Sequence, residues 1–225
     1  ADEACVFGVD ITLPTSFFAS YGHGFLFKLS PAGDEIWHSN FQSPNDYDNS
    51  IPASIVFHNN RLHLILRGRD WQMFQPDGNI AINGNPNAAA WYISLDTDGN
   101  FIQDLPILED IPNSLYGNWH PEISGFFTDL NTFKSPRLLV SPTGNLLVSG
   151  VFSGLSSITV GDVPIEPLDS TFSARNHFVA SIDPISNTCE HAFCAYGIQT
   201  PQNDFPAWEV DEDGNIFLGF GLNAS

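Results

Sequence analysis

Basic residues are scarce in this chain. Seven Lys and Arg stand against 26 Asp and Glu in 225 residues, for a formal charge of −19 and a pI near 4.2. A surface this acidic repels nucleic-acid phosphates and anionic lipid, so neither is an expected partner. It suits solubility in salty surroundings, or binding of cations and cationic partners. Long apolar runs are also missing. No stretch of 18 apolar residues occurs, so no membrane-spanning helix is expected. Ala1-Asp2-Glu3-Ala4 is not a basic segment leading into an apolar one, so no signal peptide opens the sequence. The chain reads as mature, or as a piece of something longer.

Helical patterning is absent as well. Sixteen prolines and 18 glycines are spread throughout, and no segment holds a 3.6-residue apolar period over three turns. Three cysteines, Cys5, Cys189 and Cys194, leave an odd count and no zinc spacing. On one extended strand Cys189 and Cys194 would sit about 16 Å apart on opposite faces. A disulfide between them would need a turn or bulge in between. Catalytic signatures are missing too: there is no Gly-x-Ser-x-Gly, His-Glu-x-x-His or phosphate loop. His38, His58, His63, His120, His177 and His191 are scattered.

What the chain does have is a hairpin written six times. Each copy is an apolar strand, a short turn and a second apolar strand, centred on Gly33, Asn60, Gly99, Gly144, Asn187 and Gly214. Two kinds alternate. One opens on an aromatic strand: Phe25–Ser30, Trp91–Asp96 and Phe178–Asp183. The other runs into a glycine, as at Leu146–Gly150 and Ile216–Gly219. Like kinds recur roughly 65 to 90 residues apart, giving about four strands per unit, the signature of a propeller blade.

The expected fold is therefore all-β: a β-propeller segment of repeated four-stranded antiparallel blades. The phase gives a half blade over 1–48, a blade over 49–108, an inter-blade insertion over 109–135, a blade over 136–198 and a half blade over 199–225. Val6–Thr12 reads as an inner piece of a blade. Two half blades and two full ones make at most three, short of the four to eight of a closed ring. The segment is thus expected to be part of a longer propeller, or to be completed by another subunit. Residues alternating along the strands, among them Phe25, Phe27, Ile55, Phe57, Leu64, Trp91, Ile93, Leu147, Phe178, Ala180, Trp208 and Val210, form the expected core.

The stretch Leu147–Asp183, LVSGVFSGLSSITVGDVPIEPLDSTFSARNHFVASID, resembles the propeller repeat of secreted and surface proteins of Bacteroidota. Phe7–Leu13 with Gly24–Ser30 keeps the same register, as does Asp211–Gly219. Arg61-Leu62-His63-Leu64 departs from the usual Gly-Asn start, and a long insertion follows Asp104. The resemblance implies an extracellular or cell-surface protein, exported by the type IX route and adhesin-like. It implies binding or assembly, with a protein or glycan partner, rather than catalysis.

Candidate sites follow from residue chemistry. Asp96-Thr97-Asp98-Gly99-Asn100 and Asp211-Glu212-Asp213-Gly214-Asn215 place carboxylates at alternate positions, as a calcium loop does. Asp96, Asp98, Asp211 and Asp213 are the candidate ligands, and calcium is the one cofactor in view. The competing reading is a plain hairpin bend whose glycine supplies positive φ. The Leu105–Arg137 insertion gathers Tyr116, Trp119, His120, Glu122 and Asp129, on the face where propellers bind ligands. Tyr47 lies in a similar connection. Trp71, beside Arg69 and Asp70, is expected in a loop on that face. Aromatics with carboxylates suit sugar stacking and hydroxyl bonding, or else cap and pack a blade. A carbohydrate-active enzyme with Glu122 and Asp129 as acid/base pair is the alternative function.

Overall fold

Strand-forming segments here are short runs rich in Ile, Val, Leu and aromatics, cut by turns that need positive φ. Gly33, Gly99, Gly144 and Gly214 adopt φ of 85–92°, and Asn59, Asn60 and Asn187 supply the same conformation at 49–58°. The six hairpins read from the sequence all form. The computed structural model describes residues 3–6, 9–12, 24–42, 50–67, 70–85, 88–110, 137–153, 157–170, 175–198 and 207–219. Among them every regular element is a β-strand, and all pairing is antiparallel.

In chain order the strands are β1 (Glu3–Val6), β2 (Val9–Thr12), β3 (Gly24–Leu29), β4 (Glu35–Gln42), β5 (Ile51–His58) and β6 (Arg61–Arg67). Next come β7 (Asp70–Phe74), β8 (Ile80–Gly84), β9 (Ala88–Leu95), β10 (Phe101–Asp110), β11 (Arg137–Val140) and β12 (Leu146–Ser153). The last six are β13 (Ser157–Val160), β14 (Val163–Ile165), β15 (Arg175–Asp183), β16 (Thr188–Ile198), β17 (Ala207–Val210) and β18 (Ile216–Gly219). Sheet I is ordered β3-β4-β7-β8. Sheet II is β5-β6-β9-β10-β13-β14, sheet III β11-β12-β15-β16 and sheet IV β17-β18. Among the described residues β1 and β2 pair only with each other.

One rule generates this order. A unit contributes four strands in sequence, β5-β6-β9-β10 or β11-β12-β15-β16. Between its second and third strands it sends a short hairpin onto the fourth strand of the preceding sheet. β7-β8 joins β4 through Asn40–Gln42, and β13-β14 joins β10 through Ile107–Asp110. At the second junction the Gly161 amide donates to the Pro106 carbonyl at 3.0 Å, with Leu105 against its α-carbon. By the same rule β3-β4 are the third and fourth strands of a unit, and β17-β18 the first and second.

Sheets stack face to face with a core in each gap. Between sheets I and II lie Phe41, Trp71 and Met73 against Leu64, Leu66, Trp91, Ile93 and Leu95. Between sheets II and III, Ile65, Ala90, Tyr92, Ile107, Ile158 and Val160 meet Leu146, Val148, Phe178, Ala180 and Ile182. Leu147 and Val179, on the far side of sheet III, meet Val210 and Ile216 of sheet IV. Alternate residues of β6, β9, β12 and β15 thus face opposite cores, as a period of two requires.

Several expectations are corrected here. Ile55 and Phe57 are exposed, at 47% and 58%. They sit on the terminal strand of sheet II, and the cover from sheet I is centred over β6 and β9. Phe25, Phe27 and Val210 are half-buried, and the Trp208 side chain lies outside the described residues. Val6–Thr12, expected as an inner piece of a blade, holds the end of β1 and all of β2, which pair as a hairpin. The insertion begins later than expected, because β10 continues through Asp110 with Leu105 and Ile107 buried. Cys189 and Cys194 both pack against the core between sheets II and III, because irregularities in the β15–β16 register shift the alternation. Burial pushes the Cys189 thiol up to about 11.

Truncation in a gap should therefore cost far more than truncation at the sheet end. Trp91→Ala should lose about 3–5 kcal/mol of unfolding free energy. Phe57→Ser should stay within about 0.5 kcal/mol, both read from chemical denaturation.

Candidate functional site

The polar groups with defined geometry cluster at the seams between sheets, and the hairpin turns build them. In the Asp96–Asn100 turn the carboxylate of Asp96 faces inward. Its Oδ1 accepts the Asp98 and Asn100 amides at 2.8 and 2.9 Å, and its Oδ2 accepts Asn100 Nδ2 at 3.0 Å. Asp211 repeats this: the Asp213 and Asn215 amides donate at 3.0 and 2.8 Å, and Asn215 Nδ2 at 2.9 Å. Partial burial of Asp96 pushes its pKa up, but the hydrogen bonds from Asn100, Asp98 and Gly99 outweigh it and hold the carboxyl below the usual range. The bonds from Asn215 hold Asp211 low in the same way. The Asp96 and Asp211 carboxylates are thus each engaged by their own turn. Asp98 and Asp213 are exposed, and no grouping of three metal-ligating side chains occurs among the described residues.

The carbonyl at the second turn position does something else. Thr97 O accepts Lys28 Nζ at 2.7 Å and Trp37 Nε1 at 3.1 Å, both from sheet I. The corresponding turn of the next unit, Asp183–Asn187, offers Pro184 O to Gln103 Nε2 at 3.0 Å and to Arg61 Nη1 at 3.5 Å, both from sheet II. Asn187 Nδ2 adds a 2.6 Å bond to the Asp104 carbonyl. Trp37 lies opposite Lys28 and Gln103 opposite Ser94, so the donor strand position is the same in both units. Each turn therefore latches its unit to the preceding sheet. Gly99 shows how closely: a β-carbon there would lie 2.9 Å from Pro76 and 3.0 Å from the Trp37 ring.

Beneath the second latch a histidine is buried. His63 Nε2 lies 3.1 Å from the His58 carbonyl, which can only accept, so Nε2 carries the proton. Nδ1 then accepts the Tyr92 hydroxyl at 2.7 Å, with the two rings stacked at 5.9 Å. Burial is the main cause in each case: it drops His63 to about 4 and raises Tyr92 to about 12. The pair is a neutral, satisfied link in the seam. Sequence reading had no signal for it, since His63 stands mid-strand like any scattered histidine.

Trp71, expected on a ligand face, lies inside the core between sheets I and II. It is 1% exposed, edge-on to Trp91 and near Phe101. Its segment is strand β7 rather than a loop, because it pairs with the preceding sheet. Tyr47, Tyr116, Trp119, His120, Glu122 and Asp129 lie outside the described residues. No protein-family model, curated protein or solved structure matches the chain.

Two outcomes follow. Gly99→Ala and Gly78→Ala both force an L-residue to positive φ, but a β-carbon at Gly78 meets nothing. Gly99→Ala should be the more destabilising by at least about 1 kcal/mol, from the added overpacking. The second concerns pH. Between about pH 6.5 and 4 the unfolded chain binds a proton at His63 that the folded chain refuses. Stability should fall as pH drops through that window and be flat above it on this account, and His177, lowered by burial, adds in the same direction. Melting temperature against pH should lose part of this slope, up to about one proton, in His63→Gln.

Proposed function

We propose that the chain is a segment of a β-propeller, extracellular or at a cell surface, that serves binding and assembly and performs no catalysis. What supports this is the build of the molecule. Four-strand units are stacked face to face, each tied to the last by an inserted hairpin and a turn latch, and this is a scaffold that extends by repetition. The observation that carries the reading is that large apolar side chains stay exposed on the sheet faces. Ile80 and Ile82 are 49% and 63% exposed on sheet I, and Phe193 is 48% exposed on sheet III. Such surface on an acidic protein suits specific association, with a protein or glycan partner, better than solvation.

The resemblance to Bacteroidota surface repeats favours an adhesin-like role on the same grounds. The test is to probe the purified chain against glycan and extracellular-protein arrays, alongside a panel of chromogenic glycosides. The expected result is saturable binding that survives Glu122→Gln, and no glycoside turnover. Turnover abolished by Glu122→Gln would replace this reading with that of a carbohydrate-active enzyme.

A further inference from the structure

We propose that the gap between sheets II and III is an acid-operated joint: a proton on the buried His63 imidazole opens this gap while the gap between sheets I and II stays closed. The inference goes beyond the assembly reading and does not rest on it.

Geometry holds His63 neutral. On β6 its side chain alternates with Leu62 and Leu64, so it points with Ile65 into the gap toward sheet III, fully buried. Both ring nitrogens are committed. Nε2 donates to the His58 carbonyl, and Nδ1 accepts the Tyr92 hydroxyl. A second proton must go to Nδ1, where the Tyr92 proton already lies. Turning the hydroxyl away removes that conflict but not the charge. The imidazolium is then a buried cation, which is costly unless paired.

Its surroundings offer no partner among the described residues. On its own strand stands Arg61, a second cation, whose charge opposes that of His63. In the β5–β6 turn the His58 ring lies 6.3 Å away, its Nε2 buried without a partner against Gly144 of sheet III. β9 presents Tyr92, and β10 presents Gln103, which donates to Pro184 O. From sheet III the Asp183 charge reaches Tyr92, but its carboxylate accepts the Ile185 amide and the Ser186 hydroxyl, each at 2.8 Å. Asp104 is engaged by Asn83 of sheet I, and Glu190 by Asn145. His63 enters no ion pair among the described residues.

The gap between sheets I and II is built otherwise. Phe41, Trp71, Met73 and Trp91 with aliphatic residues fill it, and no histidine or acid is among them. The other buried histidine, His177 on β15, alternates with Phe178 and so looks toward sheet IV. What ties sheet II to sheet III above His63 is neutral at the acceptor: Gln103 and Arg61 on Pro184 O, and Asn187 on the Asp104 carbonyl. A cation beneath these bonds, beside Arg61, is relieved when sheet III withdraws and water enters. The closed gap holds His63 at about 4, against 6.5 in water, so closure is favoured above 6.5 and the advantage fades as pH falls toward 4. On these values the open-to-closed ratio rises about thirtyfold between pH 7.5 and 5.

The test places one cysteine in each gap. Ala180→Cys lies between sheets II and III and Ala88→Cys between sheets I and II, each 1% exposed as alanine, in chains whose Cys5, Cys189 and Cys194 are replaced by serine. Labelling by a dithiodipyridine is measured at both pH values, each rate divided by that of the same thiol in the urea-unfolded chain. Labelling at position 180 should rise about thirtyfold on acidification, and at position 88 no more than about threefold. His63→Gln, whose amide can donate and accept without gaining charge, should abolish the rise, and His177→Gln should leave it. Hydrogen exchange of the unmodified chain, corrected for its intrinsic pH dependence, should accelerate in β12 and not in β7, and decides alone if a thiol variant does not fold. An equal rise in both gaps would mean that the whole stack unfolds and would overturn the proposal. A rise that survives His63→Gln, or no rise by either method, would do the same.

Discussion

Burial of both faces of each inner sheet is the constraint on which this structure depends. β6 and β9 send Leu64, Leu66, Trp91, Ile93 and Leu95 to one side and Ile65, Ala90 and Tyr92 to the other. A sheet with two apolar faces is unstable in water unless something lies on each. Its neighbours are sheets of the same kind, so they carry the same requirement. The result is a stack in which no inner unit has a core of its own. Each gap belongs equally to two units, and stability is shared between neighbours rather than held within them. Where a neighbouring sheet does not reach, apolar side chains stay exposed, as Ile55 and Phe57 do on sheet II, Ile80 and Ile82 on sheet I and Phe193 on sheet III.

Stacking alone would let sheets slide. Two further devices fix the register between units. The inserted hairpins place part of one unit inside the hydrogen-bonded plane of the one before, so β10 is flanked by its own unit on one side and by β13 on the other. The turn latches then pin the opposite ends of the third and fourth strands. Both depend on contacts distant in sequence, Lys28 with Thr97 and Gln103 with Pro184. Loosening one gap should therefore be felt in the next, as coupled nearest-neighbour repeats require.

These devices differ in how legible they are in the sequence. The six long hairpins are plain because glycine or asparagine at positive φ marks each turn and the flanking strands are uniformly apolar. The inserted hairpins are harder to read, because their partners belong to another unit. Gln75-Pro76-Asp77-Gly78-Asn79 reads as a turn, but nothing local says that Trp71 and Met73 face a core built by Phe41 and Trp91. Beside Arg69 and Asp70, Trp71 therefore looks like a ligand-binding aromatic. Ile55 and Phe57 alternate as well as any core pair. Only the lateral extent of the neighbouring sheet, which the sequence of one strand does not encode, leaves them in solvent. His63 is illegible for a related reason: its partner Tyr92 belongs to β9, a strand that the sequence of β6 does not specify.

The acidic character of the chain bears on why a carbonyl makes the latch. With 26 acids and seven Lys and Arg, carboxylates at the seams would outnumber any cations available to meet them. The turns resolve this by bending the Asp96 and Asp183 carboxylates back onto their own turns, where hydrogen bonds hold them ionised without a cation. What projects toward the preceding unit is then a neutral peptide oxygen. It accepts equally from an indole, an amide, an ammonium or a guanidinium, as Trp37, Gln103, Lys28 and Arg61 demonstrate. The donor can change from unit to unit without unbalancing charge. A repeat docked in this way can tolerate wide divergence in sequence while its geometry stays the same. That is consistent with strand phase, rather than residue identity, being what relates the units of this chain to one another.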